Sequence, residues 1–576
     1  MPWLNVGCRS EVGAMATDLT AVEHRAQDRL FVAHCSLDGL RERLPLAWPT
    51  PPGTPPSPKQ AYRSQYVYLG WQDLNDPATW EHSSEFDLLL RLIDFSGLRP
   101  VLAQRLGWTS GRGWMPFDPV SFFLLTGWQI TSAWNRTQTL NNLRDPRYAD
   151  YAERFGFRDG CFPTEGGQRY FLTTLGRHAT SDKTVMVDEE EHITVAVQHL
   201  NQLIAQSVAL IRQAGLISQQ AWEQALLCPD GMLHEAASTL RCSCVTQTCY
   251  QPTSPAKPRP CPAKDKQHLG CDCNTAACAQ SCRHATPRDP QARFVYYSGS
   301  NQPDNPNQRT DKADDEQPKG KAVYGYRSLP LQWVDPERRF SLILLDDFLP
   351  ANAREENPAA ALLLQLSTYY PDLHPQAVAG DAGFGYDLPL KIIHQRLHAR
   401  RLIDLRRHST DRDKSLWPIR GYDDKGRPVC PYGYTFSANG YDRERHCHKW
   451  ICAQTCRKGT APAVQVPAVR YPPEECPYLD PKYRHGKVLN VGERFLDGSI
   501  RLVRDLPVGT PEWKRMYHRA RNAVEGRNAT RERWGLKRLP VYGDPRGRAI
   551  VFQSDLWDNL TTLARLVREA TAATGA

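Results

Sequence analysis

A chain of 576 residues with 72 Lys and Arg against 63 Asp and Glu, net charge +9 and 40% apolar residues, exceeds one simple core and can supply two to four. No apolar stretch approaches the roughly 18 residues of a spanning helix, and Arg9, Glu11 and Asp18 near the start argue against a signal peptide; a soluble, cytoplasmic protein without membrane contact is expected. In that compartment the 17 cysteines are expected as reduced thiols or metal ligands rather than disulfides.

Residues 1–60 read as a helix over 16–44, with Leu19, Val22, Leu30, Val32 and Leu40 as apolar positions, followed by a stiff proline-rich linker from Pro45 to Pro58. Residues 61–180 are rich in helical signals, including Phe86 to Ile93 and Pro119 to Trp134, and are read as a helical DNA-binding or dimerisation domain. A longer helix is predicted from about Glu189 to Gly215, with Val195, Leu200, Leu203, Ile204, Val208 and Ile211 on one face and Asp188 as N-cap. It leads to the apolar run Ala225 to Pro229, which Asp230 closes, so 181–241 hold a long helix and a first catalytic strand. Residues 242–322 lack periodicity and read as a polar, cysteine-rich insertion. Order resumes over 323–410, with strands Val323 to Val334 and Phe340 to Leu345, a helix Pro358 to Tyr370, a strand ending at Asp381, a helix Leu388 to His398 and a strand Arg401 to Leu405. This series predicts an α/β unit with a mixed sheet. A second cysteine-rich insertion spans 411–510, and 511–576 hold a basic helix from Trp513 to Trp534 and a closing helix.

Three carboxylates have contexts suited to phosphoryl transfer. Asp230 and Asp381 each close an apolar strand, and Asp381 opens Asp381-Ala382-Gly383-Phe384-Gly385, whose small residues let a metal ion or a phosphate approach the backbone. Glu525 lies within the basic helix. Hard divalent ions want oxygen ligands, and two ions about 4 Å apart must share a carboxylate. Asp346 and Asp347 also end an apolar strand, but too few residues separate them from Asp381 for two further strands and a helix; they are read as a strand terminus.

From about Tyr66 onward the chain resembles the DDE transposases of bacterial insertion sequences. The resemblance rests on Phe117-Asp118-Pro119-Val120-Ser121, Arg144 to Tyr148, Phe155-Gly156-Phe157, Asp230-Gly231, Asp381-Ala382-Gly383-Phe384 and Arg521-Asn522-Ala523-Val524-Glu525-Gly526-Arg527-Asn528, in that order. It departs from the family pattern in the spacing of Tyr517 to Arg521, in Glu532 where the family has Lys, and in Met232 after Asp230-Gly231. The resemblance implies a ribonuclease H-like catalytic core. It further implies a transposase in which Asp230, Asp381 and Glu525 hold two Mg²⁺ or Mn²⁺ ions for cleavage and strand transfer of DNA, acting as a homo-oligomer on element ends in a bacterial nucleoid. Two alternatives stay open: a structure-specific nuclease, and a zinc-stabilised DNA-binding protein without turnover.

Between Trp513 and Arg538 nine Lys and Arg stand against two Glu, which predicts a phosphate-facing segment. Arg519, Arg521, Arg527, Arg531, Arg533 and Lys537 are the expected DNA contacts; for Arg521 a helix salt bridge to Glu525 is the alternative. Tyr517 and Trp534 are candidates for base stacking, with packing as the favoured role. Two cysteine groups have ligand-like spacing: Cys242 to Cys282 with His284, and Cys430, Cys447, Cys452 and Cys456 with Cys476 further on. The second is the candidate structural zinc site, with His446 and His448 as alternative ligands.

Overall fold

The computed structural model describes residues 43–238, 289–297, 321–403, 421–492 and 511–574, less shorter stretches within them, of which 71–81, 187–191 and 457–475 are the longest. The expected helix over 16–44, apart from its last two residues, and the first cysteine group lie outside the described residues.

A five-stranded mixed sheet forms the centre. Its strands are β1 (Leu226–Pro229), β2 (Leu331–Val334), β3 (Ser341–Leu345), β4 (Ala377–Gly380) and β5 (Arg400–Ile403). The spatial order is β3-β2-β1-β4-β5; β2 runs antiparallel to both neighbours, and β1, β4 and β5 are parallel. β1, β2 and β4 are buried along their whole length, as the unbroken apolar runs Leu-Leu-Cys and Ala-Val-Ala require of a sheet covered on both faces. Side chains alternate: Leu226, Cys228, Ala377 and Ala379 pack on one face, Leu227 and Val378 on the other. A second, antiparallel sheet pairs Phe348–Pro350, Lys321–Ser328 and Met232–Glu235, with Arg293–Tyr297 on Lys321–Ser328.

Helices enclose the central sheet. Those that matter below are α1 (Pro119–Thr131), α2 (Asn201–Gln213), α3 (Glu356–Tyr369), α4 (Asp387–Gln395), α5 (Pro511–Arg533) and α6 (Asp544–Thr574). Asp118 caps α1 by accepting from Val120 N–H, and Pro119 sits at its first turn, where a missing N–H costs nothing. The helical region before residue 180 shares one continuous hydrophobic core with α2, α3, α6 and the sheet. The 31-residue α6 threads through it: Trp557 stacks on Phe123 and also meets Phe86 and Phe95. Gly127 on α1 admits this indole, since a Cβ there would fall inside the ring of Trp557.

The long helix expected from Glu189 is shorter. Thr180–Met186 and His192–Gln198 form an antiparallel hairpin, and only Asn201–Gln213 is helical. Ile193, Thr194, Val195 and Val197 carry β-branched side chains at near-alternate positions, which favours the strand over the helix that the apolar spacing suggested.

Candidate functional site

Asp230 and Asp381 follow the ends of two neighbouring parallel strands. The register Leu226↔Ala377 and Leu227↔Val378, continued along β1 and β4, brings the two aspartates to the same level. They sit close enough that the charge of Asp381 raises the Asp230 carboxyl, which burial already pushes up and Arg521 pulls back down. Asp381 accepts the Gly383 N–H at 2.8 Å, a turn that the small residues after it permit. Beneath the pair lies Cys228, fully buried, its thiol pushed up by burial and by the charge of Asp230.

α5 packs on this face of the sheet through Trp513, Met516, Ala520 and Val524. That docking delivers Arg521 to Asp230, Nη1 to Oδ1 at 2.8 Å, and Asn528 to the same carboxylate. Arg521 therefore pairs inside the site with Asp230. Glu525 lies between these two, four residues after Arg521 and three before Asn528, the spacing of one helix face. Its own side chain is exposed. Among the described residues no three His, Cys, Asp or Glu side chains stand close enough together to hold a metal ion as they are placed.

The carboxylate that does face the pair is Glu355, at the N-terminus of α3. Burial and the charges of Asp381 and Asp230 push it up to about 7, against the opposing pull of Arg327, which it meets at 2.7 Å. A Cβ at Gly231 would run into Glu355 Oε1, so a side chain after Asp230 would make Glu355 shift. Glu355 escapes a sequence reading because it follows no strand and sits in the ordinary acidic start of a helix; only the fold brings it to Asp230. Asp230, Asp381, Glu355 and Glu525 offer only oxygen donors, with more negative charge than Arg521 and Arg327 balance, and this donor set fits a hard divalent cation.

The remaining basic residues divide into two sets. Arg527 and Arg531 are buried, not DNA-facing: Arg527 pairs with Asp555 and Asp558, and Arg531 with Ser328, Asp346 and Asp555. Buried cations must be paired, so these two fasten α5 to α6 and to the end of β3. The rival Asp346 is thus a strand-end ion-pair partner. Arg533 and Lys537 are exposed, bonded to Thr530 and Glu532. Arg519 is half-buried, and Lys514, Arg515 and Arg538 are exposed. Tyr517 stacks on Trp513 at 4.2 Å, and Trp534 packs on the main core, so both aromatics serve packing.

Of the second cysteine group, Cys447 lies at the opposite end of its strand from Cys452, which removes it from the expected zinc set. His446 lies outside the described residues, and His448 pairs edge-on with Tyr441. A cavity of ≈ 650 Å³ lined by Thr54, Gln104, Arg105, Thr174, His199 and Gln202, among others, includes no residue of the two strand ends. No helix among the described residues is long and apolar enough to cross a membrane. No family model, curated protein or solved structure matches the chain.

Proposed function

We propose that this chain is a transposase that cleaves and joins DNA strands of an insertion sequence by metal-dependent phosphoryl transfer, on a ribonuclease H-like core and as a homo-oligomer on its DNA. The observation that carries the reading is the register of Asp230 and Asp381 on adjacent parallel strands, with the basic helix α5 docked against them. Between Asp230 and β4, which Asp381 closes, the chain forms two further strands of the same sheet and one helix, the order the family resemblance requires.

Asp230 and Asp381 would hold the cations, with Glu525 as the third ligand from the same helix face as Arg521 and Asn528. Cations held there would supply activation of an attacking water or hydroxyl and stabilisation of the leaving oxygen. Arg521, already beside Asp230, is the guanidinium placed to take a backbone phosphate, and Arg327 holds Glu355 against the pair. Lys514, Arg515, Arg533, Lys537 and Arg538 supply the exposed positive charge for DNA. The test is incubation of the protein with Mg²⁺ and DNA carrying the ends of its own element. Cleaved and joined products are expected; cleavage without joining would make the chain a nuclease, and neither product would overturn the reading.

A further inference from the structure

Residues 421–492 contain a small sheet outside both hydrophobic cores: β6 (Phe436–Asp442), β7 (Cys447–Cys452) and β8 (Val488–Gly492), in the order β6-β7-β8. Among the described residues, this part of the chain buries only Val429, Tyr432, Phe436, Cys447 and Leu489 as hydrophobic side chains. Five such residues make no core for so many strands, and another source of cohesion is needed.

Four cysteines gather at one end of this sheet. Cys452 is the last residue of β7, opposite Phe436, and its N–H donates to Lys487 O at 2.8 Å just before β8. Cys430 sits in the turn that opens β6: its N–H donates to Tyr434 O at 2.8 Å, and Val429 bridges Thr435. Cys476 begins the turns that lead back to β8, with Leu479 N–H donating to Cys476 O at 3.0 Å. Cys456 follows β7 by four residues and is close enough to feel the charges of both Cys430 and Cys476.

The two turns repeat one device. Each begins Cys-Pro-Tyr, and in each the sulfur accepts two backbone N–H groups, from Tyr432 and Tyr434 at Cys430, and from Tyr478 and Leu479 at Cys476. N–H groups aimed at a sulfur favour its thiolate form, which is the form that binds metal.

We propose that Cys430, Cys452, Cys456 and Cys476 bind one structural zinc ion as four thiolates, clamping the ends of β6, β7 and β8, with Cys447 outside the site. Cys447 pairs with Asp442 and Gly492 at the far end of the sheet, about 17 Å along the strand from Cys452. Zinc takes four such ligands in a tetrahedron with Zn–S of about 2.3 Å, and it supplies folding energy to segments that lack a core. As placed, no three of these donors are at coordination spacing, so binding draws the sulfurs together and releases their protons to solvent.

The test uses the full chain, with zinc measured by elemental mass spectrometry in the wild type, Cys476→Ser and Cys447→Ser. Because Cys242 to Cys282 can hold zinc of their own, the readout is the difference between proteins. Cys476→Ser should lose about one equivalent and Cys447→Ser none; the reverse pattern overturns the proposal. Should Cys476→Ser fail to fold, alkylation of the wild type mapped by peptide mass spectrometry decides. Cys430, Cys452, Cys456 and Cys476 should be protected together and become reactive together after zinc chelation, with Cys447 unchanged. Equal reactivity of the four before and after chelation overturns it.

Discussion

Replacing Glu355 by Gln tests the electrostatics of the strand-end site while leaving Asp230, Asp381 and Glu525 in place. Glu355 is raised from 4.5 to about 7 by burial and by Asp381 and Asp230. A carboxyl so raised contributes stability that is fully present below its unfolded pKa and is lost as pH rises through the folded one. Between pH 4.5 and 7 the folded state holds the extra proton; above 7 it must carry an unwelcome charge. The raise corresponds to about 3 kcal/mol, and a Gln mimics the neutral carboxyl. Glu355→Gln should therefore stabilise the protein at pH 8 by up to that amount and leave it nearly unchanged at pH 4.5, measured by denaturant unfolding without divalent ions. Adding Mg²⁺ or Mn²⁺ at pH 8 should stabilise the wild type more than the variant, because the cation balances the charge that Gln has already removed. An equal effect of the substitution at both pH values would refute the argument.

Arg531→Ala should destabilise by about 3–5 kcal/mol, because Asp346 and Asp555 are left buried without their cation; denaturant unfolding measures it, and a surface-like value would contradict the assigned role. The pair Lys514→Ala and Arg515→Ala should leave the unfolding midpoint unchanged while lowering the salt dependence of DNA binding by roughly two units of slope, if each residue contacts one phosphate. Gly127→Ala should cost about 1–3 kcal/mol by forcing a methyl group against Trp557. Near-wild-type stability would mean that α1 and α6 are free to separate.

Much of the central sheet is legible in the residues. Leu226 to Pro229 and Ala377 to Gly380 are unbroken apolar runs ended by Asp, and both are buried strands in the structure. The helix placed at Trp513 to Trp534 spans Pro511–Arg533. What the sequence does not reveal depends on which way side chains turn. Arg527 and Arg531 look like surface charge until α6 supplies Asp555. Glu355 reaches Asp230 only because α3 begins over the ends of β1 and β4. At the other end of the chain's chemistry, strand length, invisible in spacing alone, carries Cys447 away from Cys452. The hairpin at His192–Gln198 was hidden by apolar residues that also fit a helical face.

Under the proposed function, Asp230 and Asp381 jointly support metal-dependent cleavage of DNA. The most direct measurement is cleavage of element-end DNA with Mg²⁺ by the wild type, Asp230→Asn, Asp381→Asn and Asp346→Asn, with DNA binding measured on the same preparations. Asp230→Asn and Asp381→Asn should each bind DNA as the wild type does yet cleave none, since an amide cannot supply the charge that holds the cations. Asp346→Asn should retain cleavage wherever it folds, its carboxylate being engaged by Arg531. Wild-type cleavage by Asp381→Asn, or loss of cleavage in folded Asp346→Asn alone, would contradict the proposed function.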